Sequence, residues 1–250
     1  MTKSPLLIQE FDLLLQEFRS KIPEYEKRVQ NEIKSDHLIP VSYSLLGTAL
    51  FESKVLIIGN NYGGDPSQIS PQLRMPLCND MFNDPKNPTY NGYIRFFKEL
   101  FDGNENKATL FLKDIVYTNG CFIRTPNQSN AYTSYISNGI EITKPILNQI
   151  IDYTKPEIII CFGNGTHSAT AVIAALFNYS NKYWKDDNVK YYRLSKKTSS
   201  YEFLANSSNK NIRIFSFPHS SRIKQWGKEL KNNEIYCELK KSIELLRPIE

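Results

Sequence analysis

KVLIIGNNYGGD, residues Lys54–Asp65, decides the fold. Val55 to Ile58 are four consecutive β-branched or aliphatic residues, the pattern of a strand covered on both faces, and Gly59 then breaks the run into amides and glycines. Buried parallel strands present ligands at their carboxyl ends, which puts Asn60, Asn61, Tyr62, Gly63 and Asp65 where chemistry is usual. The same residues also suit an ordinary strand closed by a Gly-Gly turn.

Three further apolar runs repeat the pattern. Phe111–Thr118 leads into TNGCFIRTPNQSN, with Asn119 at the expected strand end. EIIICFG follows Pro156 and ends at Gly163, and NIRIFSF leads into PHSSR with His219 at its head. Between the runs lie helical patterns: about Asn91–Phe101, Asn138–Tyr153 with Pro145 inside it, Thr166–Phe177, and a closing helix over Gln225–Leu246. Strands alternating with helices imply a single three-layer α/β/α domain with a central four-stranded parallel sheet. Residues 1–50 read as an N-terminal helical extension, Leu6 to Ile22 and Glu24 to Ile33, interrupted at Pro23. Tyr62–Pro88, with five prolines, is a long loop of the kind usually kept for function.

With 250 residues, 40% of them hydrophobic and 23% charged, the chain has the composition of a globular domain with an ample core. No apolar run approaches the roughly 20 residues a membrane span needs, and acids interrupt the apolar start, so a cytoplasmic location without a signal peptide is expected. Cys78, Cys121, Cys161 and Cys237 lack zinc spacing, as do His37, His167 and His219, so no metal is expected. No glycine-rich nucleotide loop and no nucleophile elbow follows any strand.

Charge is uneven. Lys182–Lys231 holds 12 Lys and Arg against 4 Asp and Glu, a surplus larger than the net +5 of the whole chain. The basic stretch is interleaved with Tyr183, Trp184, Tyr191, Tyr192 and Tyr201, which suits a polyanion with stackable bases, and equally a solvated lysine-rich surface. Residues 178–210 are too long for a simple connection and read as a basic, aromatic insertion in which VKYYRL is a candidate edge strand.

The four strand ends in this order, Gly-x-Asn, Thr-Asn with Arg and Pro downstream, Gly, and His-x-Ser, resemble the uracil-DNA glycosylase superfamily over roughly 54–225. IIGNNYGG is similar to the first motif of its mismatch-specific branch, which implies that Asn61 positions the attacking water. MFNDPKNP resembles that branch's Phe-x-x-Pro segment, which implies that Phe82 stacks on an extruded base. VYTNGCFIRTPNQ resembles the thermostable bacterial branch and implies base reading by Asn119. FPHSSR is similar to the His-Pro-Ser motif, implying that His219 stabilises the departing base, with Ser220, Ser221, Arg222, Ile223 and Lys224 on DNA and Arg222 or Ile223 as the wedge.

The departures from the pattern are informative. The cysteines do not fall at the iron-sulfur positions of the thermostable branch, so no cluster and no cofactor is expected. The classical uracil enzymes carry an aspartate and then Pro-Tyr after the first turn, and that tyrosine blocks a 5-methyl group. This chain has Asn61, Tyr62 and Gly63. The lost carboxylate implies a slower enzyme or a more labile substrate, with Asp65 as a substitute water-orienting group, and Gly63 implies room beside pyrimidine C5. The resemblance therefore implies a monomeric DNA glycosylase for a 5-substituted or modified pyrimidine, a chemistry that serves anti-phage defence within the superfamily. The alternative is a catalytically inactive member that binds DNA or protein.

Overall fold

A computed structural model describes residues 5–34, 38–76, 88–127, 129–180, 182–195, 198–207 and 210–246. The helices are α1 (Pro5–Ser20), α2 (Ile22–Ile33), α3 (Pro88–Leu100), α4 (Glu105–Lys113), α5 (Thr133–Thr154), α6 (Ala169–Leu176), α7 (Ile223–Trp226) and α8 (Glu234–Leu246). The strands are β1 (Val55–Gly63), β2 (Val116–Thr125), β3 (Ile158–Phe162), β4 (Lys190–Ser195), β5 (Thr198–Ser207) and β6 (Lys210–Phe217). They form one six-stranded sheet in the order β2-β1-β3-β6-β5-β4. The sheet is larger than the four strands expected. The four foreseen apolar strands make its parallel part, and β5 and β4 extend it antiparallel from β6.

Helices cover both faces. Along β1, Leu56 and Ile58 join a core with α1, α2, α5 and α6, while Val55 and Ile57 join a second core with α3, α4 and α8. This two-sided burial is why the strands read as unbroken apolar runs. Phe11, Phe18, Tyr25 and Val29 of the first two helices are fully buried in the first core.

Several boundaries differ from the expected ones. Phe111 and Leu112 belong to α4, whose start is capped by the Asn104 side chain accepting from Lys107 N–H at 2.9 Å, so β2 begins only at Val116. Both β1 and β2 run past their apolar segments, pairing through Asn61↔Cys121 and Gly63↔Thr125, which makes Asn119 a mid-strand residue. A strap from residues 42 to 48 pairs along the outer edge of β2: Arg124 N–H donates to Ser42 C=O at 2.9 Å and Ser44 N–H to Phe122 C=O at 3.0 Å. Gln72 clasps the strap by accepting from Leu45 N–H at 2.7 Å. That pairing keeps a Gly- and Asn-bearing strand extended beyond its apolar part.

Within the insertion 178–210, β4 pairs antiparallel with β5, and β5 pairs β6 from Tyr201↔Ser216 to Ser207↔Lys210. The closing helix is broken by a 3-10 turn over Gly227–Asn232, after which the buried Asn233 side chain accepts from Tyr236 N–H at 3.1 Å to start α8.

A buried carboxylate joins the added strands to α8. Glu202 on β5 has a side chain only 6% exposed and is ion-paired with Arg213 of β6 and, at 3.4 Å, with Lys190 of β4. Arg213 also reaches Glu238 of α8 at 3.5 Å. Removing the guanidinium leaves Glu202 buried with Lys190 alone. Arg213→Ala is expected to cost about 2 kcal/mol in urea unfolding, below the roughly 3–5 kcal/mol of a fully buried pair because Arg213 is partly exposed. A loss under about 0.5 kcal/mol would show that the pair behaves as a surface bridge.

Candidate functional site

The expected residues fall into a connected group around Gly59. A Cβ placed on Gly59 would lie 2.2 Å from Asn119 Oδ1 and 2.6 Å from the Tyr117 hydroxyl, so only glycine admits the Asn119 amide above β1. The register is direct, Gly59↔Asn119 across the parallel pair. Tyr117, two residues earlier on the same face of β2, donates its hydroxyl to Asn119 Oδ1 at 2.9 Å, and Tyr93 of α3 donates to Tyr117 at 3.5 Å.

Asn119 is fully buried, and its Nδ2 has no hydrogen-bond partner. The Tyr62 hydroxyl, also buried, lacks one too. The two groups are close enough for the amide to favour the Tyr62 phenolate, but they do not meet hydrogen-bond geometry. Two unsatisfied polar groups side by side each cost roughly 1–3 kcal/mol, an expense that native interiors usually avoid unless a water or ligand completes the set.

Tyrosines surround this amide. Tyr62 meets Tyr117 edge-on at 6.1 Å, and Tyr93 lies 5.6 Å from Tyr117 between ring centres. Tyr62 joins the α3-side core through the irregular register between Asn61 and Gly63. The Arg124 guanidinium stands over the Tyr62 ring at 5.2 Å and donates to Ser44 Oγ at 3.3 Å. Burial raises the phenol pKa of Tyr62, Tyr93 and Tyr117 above the ordinary tyrosine value, so they remain neutral donors and acceptors near neutral pH.

The PHSSR loop joins the group from β6. Ser220 is fully buried, its Oγ donating to Thr89 C=O at 3.1 Å, and a Cβ on Gly92 would lie 2.1 Å from the Ser220 carbonyl oxygen. The start of α3 therefore seats the loop, and Tyr93 links it to Tyr117. His219 is partly buried, with Nδ1 accepting Ser221 N–H at 3.3 Å and lying 2.8 Å from Ser221 Oγ. That contact leaves the proton of the neutral ring on Nε2.

The other expected positions separate. Asn61 donates Nδ2 to Thr125 Oγ1 at 2.8 Å, which fixes its amide. Its neighbour Asn60 is a packing group: Oδ1 accepts Ala169 N–H at the start of α6 at 3.0 Å and sits over Gly163, where any side chain would collide with it. Asp65 is exposed, its carboxylate accepting from Ser67 N–H at 3.0 Å and Ser67 Oγ at 2.7 Å, contacts that hold its pKa below the ordinary value. Gly63 is exposed, and a Cβ there would meet nothing within 4 Å.

Ser221, Arg222 and Lys224 are exposed. Ser220 and Ile223 are not, and this corrects their expected place on DNA: Ser220 is a strut against α3, and Ile223, 5% exposed, packs in the α3-side core, which leaves Arg222 as the exposed wedge candidate. Phe82 lies outside the described residues. Tyr93, Tyr117 and Arg124 were not singled out from sequence. For Tyr117 the signal was available in its two-residue spacing from Asn119 on a strand.

Among the described residues no group of His, Cys, Asp and Glu could hold a metal ion, and no helix is long and apolar enough to cross a membrane. No family model and no curated protein matches the chain, so residue geometry carries the functional reading.

Burial first, and the Arg222 charge second, lower the His219 pKa below its ordinary value of 6.5. The folded protein then binds fewer protons than the unfolded chain, so the His219 contribution to stability is full above 6.5 and declines as pH falls through the folded pKa. An NMR titration of the His219 ring is expected to give a midpoint below 6.5 that rises in Arg222→Ala, whereas a wild-type midpoint at or above 6.5 contradicts the neutral-donor assignment.

Proposed function

We propose that this chain is a monofunctional DNA glycosylase, acting as a monomer, that extrudes a pyrimidine, a 5-substituted or otherwise modified one, and hydrolyses its N-glycosidic bond. The observation that carries the reading is the buried, unpartnered amide of Asn119 beside the unpartnered Tyr62 hydroxyl. A base edge supplies the missing partner. Tyr117 occupies one lone pair of Oδ1, so the amide turns its N–H toward an incoming acceptor, such as pyrimidine O4 or N3.

Extrusion costs a few kcal/mol, recovered by stacking and by hydrogen bonds to the base edge. As the glycosidic bond breaks, negative charge develops on the base and positive charge on the sugar. The Nε2–H of neutral His219 donates to the base oxyanion, and Asn61, its amide held by Thr125, positions the water, whose oxygen bonds to sugar C1′ and whose proton passes to the departing base anion. Asp65 takes no part, because it is exposed and engaged with Ser67. The open space at Gly63 supports a substrate bearing a 5-substituent. Anti-phage defence, in which such substituted bases are the targets, is the role that fits this preference.

A second reading, an inactive member that binds DNA or protein, is favoured by the amide at 61 in place of a carboxylate. Asn61→Ala decides between the two.

The assay is base release from DNA containing uracil, mismatched thymine, 5-hydroxymethylcytosine or glucosylated 5-hydroxymethylcytosine. Release of a 5-substituted base is expected to fall at least about 100-fold in Asn61→Ala and Asn119→Ala. Gly63→Tyr is expected to abolish it while sparing uracil. Excision of uracil with no preference for substituted bases would sink the substrate assignment, and no release from any substrate, with DNA still bound, selects the inactive module.

A further inference from the structure

Beside the His219 loop, α3 and the segment 223–231 enclose a groove of about 460 Å³. Its apolar floor includes Ile223 and Leu230, both buried. Its rim carries Arg95 from α3 and Lys224, Lys228 and Lys231 from the opposite wall, all exposed, against the single carboxylate of Glu99.

These cations are unlike many others on the surface. Lys98, on the same helix as Arg95, pairs with Glu105 at 2.7 Å, and Lys240 pairs with Asp102 at 2.6 Å. Arg28, Lys144, Lys155 and Lys241 are likewise paired. Among the described residues, none of the four groove cations has an ion-pair partner. Four like charges converging on one concavity repel one another, and a bound polyanion offsets that cost.

We propose that this groove binds the sugar-phosphate backbone of DNA alongside the candidate site. Only the identity of the polyanion rests on the glycosylase reading, and three features favour DNA over an acidic protein. Thr89, which holds Ser220, and Arg95 stand six residues apart on α3, or about 9 Å, the axial length of two or three phosphates on one strand. Arg222, exposed on the same loop, continues the basic line toward the base site. The floor is apolar at Ile223 and Leu230, matched to sugar faces between charged phosphates.

The test is equilibrium binding of the full chain to a fluorescent duplex that contains no modified base, measured across a salt series. Lys228→Gln/Lys231→Gln is expected to weaken binding about 10-fold or more at low salt and to make the log Kd against log salt slope shallower by about two. Glu99→Gln is expected to tighten binding. Thermal midpoints should stay unchanged in both, because these side chains are exposed.

Unchanged slope and affinity in the lysine variant overturn the groove assignment whatever the base-release result. Displacement of DNA by poly-glutamate at equal charge overturns it in favour of an acidic protein partner. A reduced slope in a chain that releases no base upholds the groove while overturning the glycosylase reading.

Discussion

The close approach of the Asn119 amide to Gly59 is the constraint on which the site depends. It requires glycine on β1, an in-register parallel partner on β2, and the Tyr117 hydroxyl to hold the carbonyl end of the amide. The outer edge of β2 is held in turn by the strap at residues 42–48 and by Gln72. A residue buried by backbone on one side and tyrosines on the other loses conformational freedom before any ligand arrives, so a ligand pays less entropy on binding.

Through Tyr93 the same hydroxyl chain reaches α3, and α3 seats the PHSSR loop by the contacts of Gly92 and Thr89 with Ser220. Gly59 on β1 and the loop after β6 are separated in the sheet by β3, yet one helix terminus ties them together. Side chains on rigid elements, each locked by a second contact, are how a site keeps its geometry. Here Thr125 fixes Asn61, Ser221 fixes His219 and Tyr117 fixes Asn119.

Apolar runs bounded by Gly and Pro made the parallel part of the sheet legible, along with the helices that cover it. Of the two polar strands, β4 was legible as the edge strand VKYYRL, whereas β5 was not. Thr198–Ser207 mixes Thr, Ser, Glu and Asn with its apolar residues, and it is extended because β6 pairs with it. The tails of β1 and β2 carry Asn and Gly, poor strand formers overridden by cross-strand bonding. Phe111 and Leu112 form an apolar pair that strand and helix fit equally, and the Asn104 cap decides for helix. At the candidate site, Asn61, Asn119 and His219 were read as polar residues at strand ends, and Asn119 instead lies mid-strand opposite Gly59. Ser220 and Ile223 were misjudged because their burial depends on α3, more than 120 residues away in the chain.

The most direct measurement is the side-chain amide resonance of Asn119, followed by NMR as the protein is titrated with DNA carrying a hydrolysis-resistant 2′-fluoro 5-hydroxymethylcytidine. A base seated on the unpartnered Nδ2 should move its protons downfield, with no such shift for the same DNA carrying an abasic-site analogue. Identical Asn119 spectra with both DNAs at saturation would contradict the account, because the buried Asn119 amide would then meet no base.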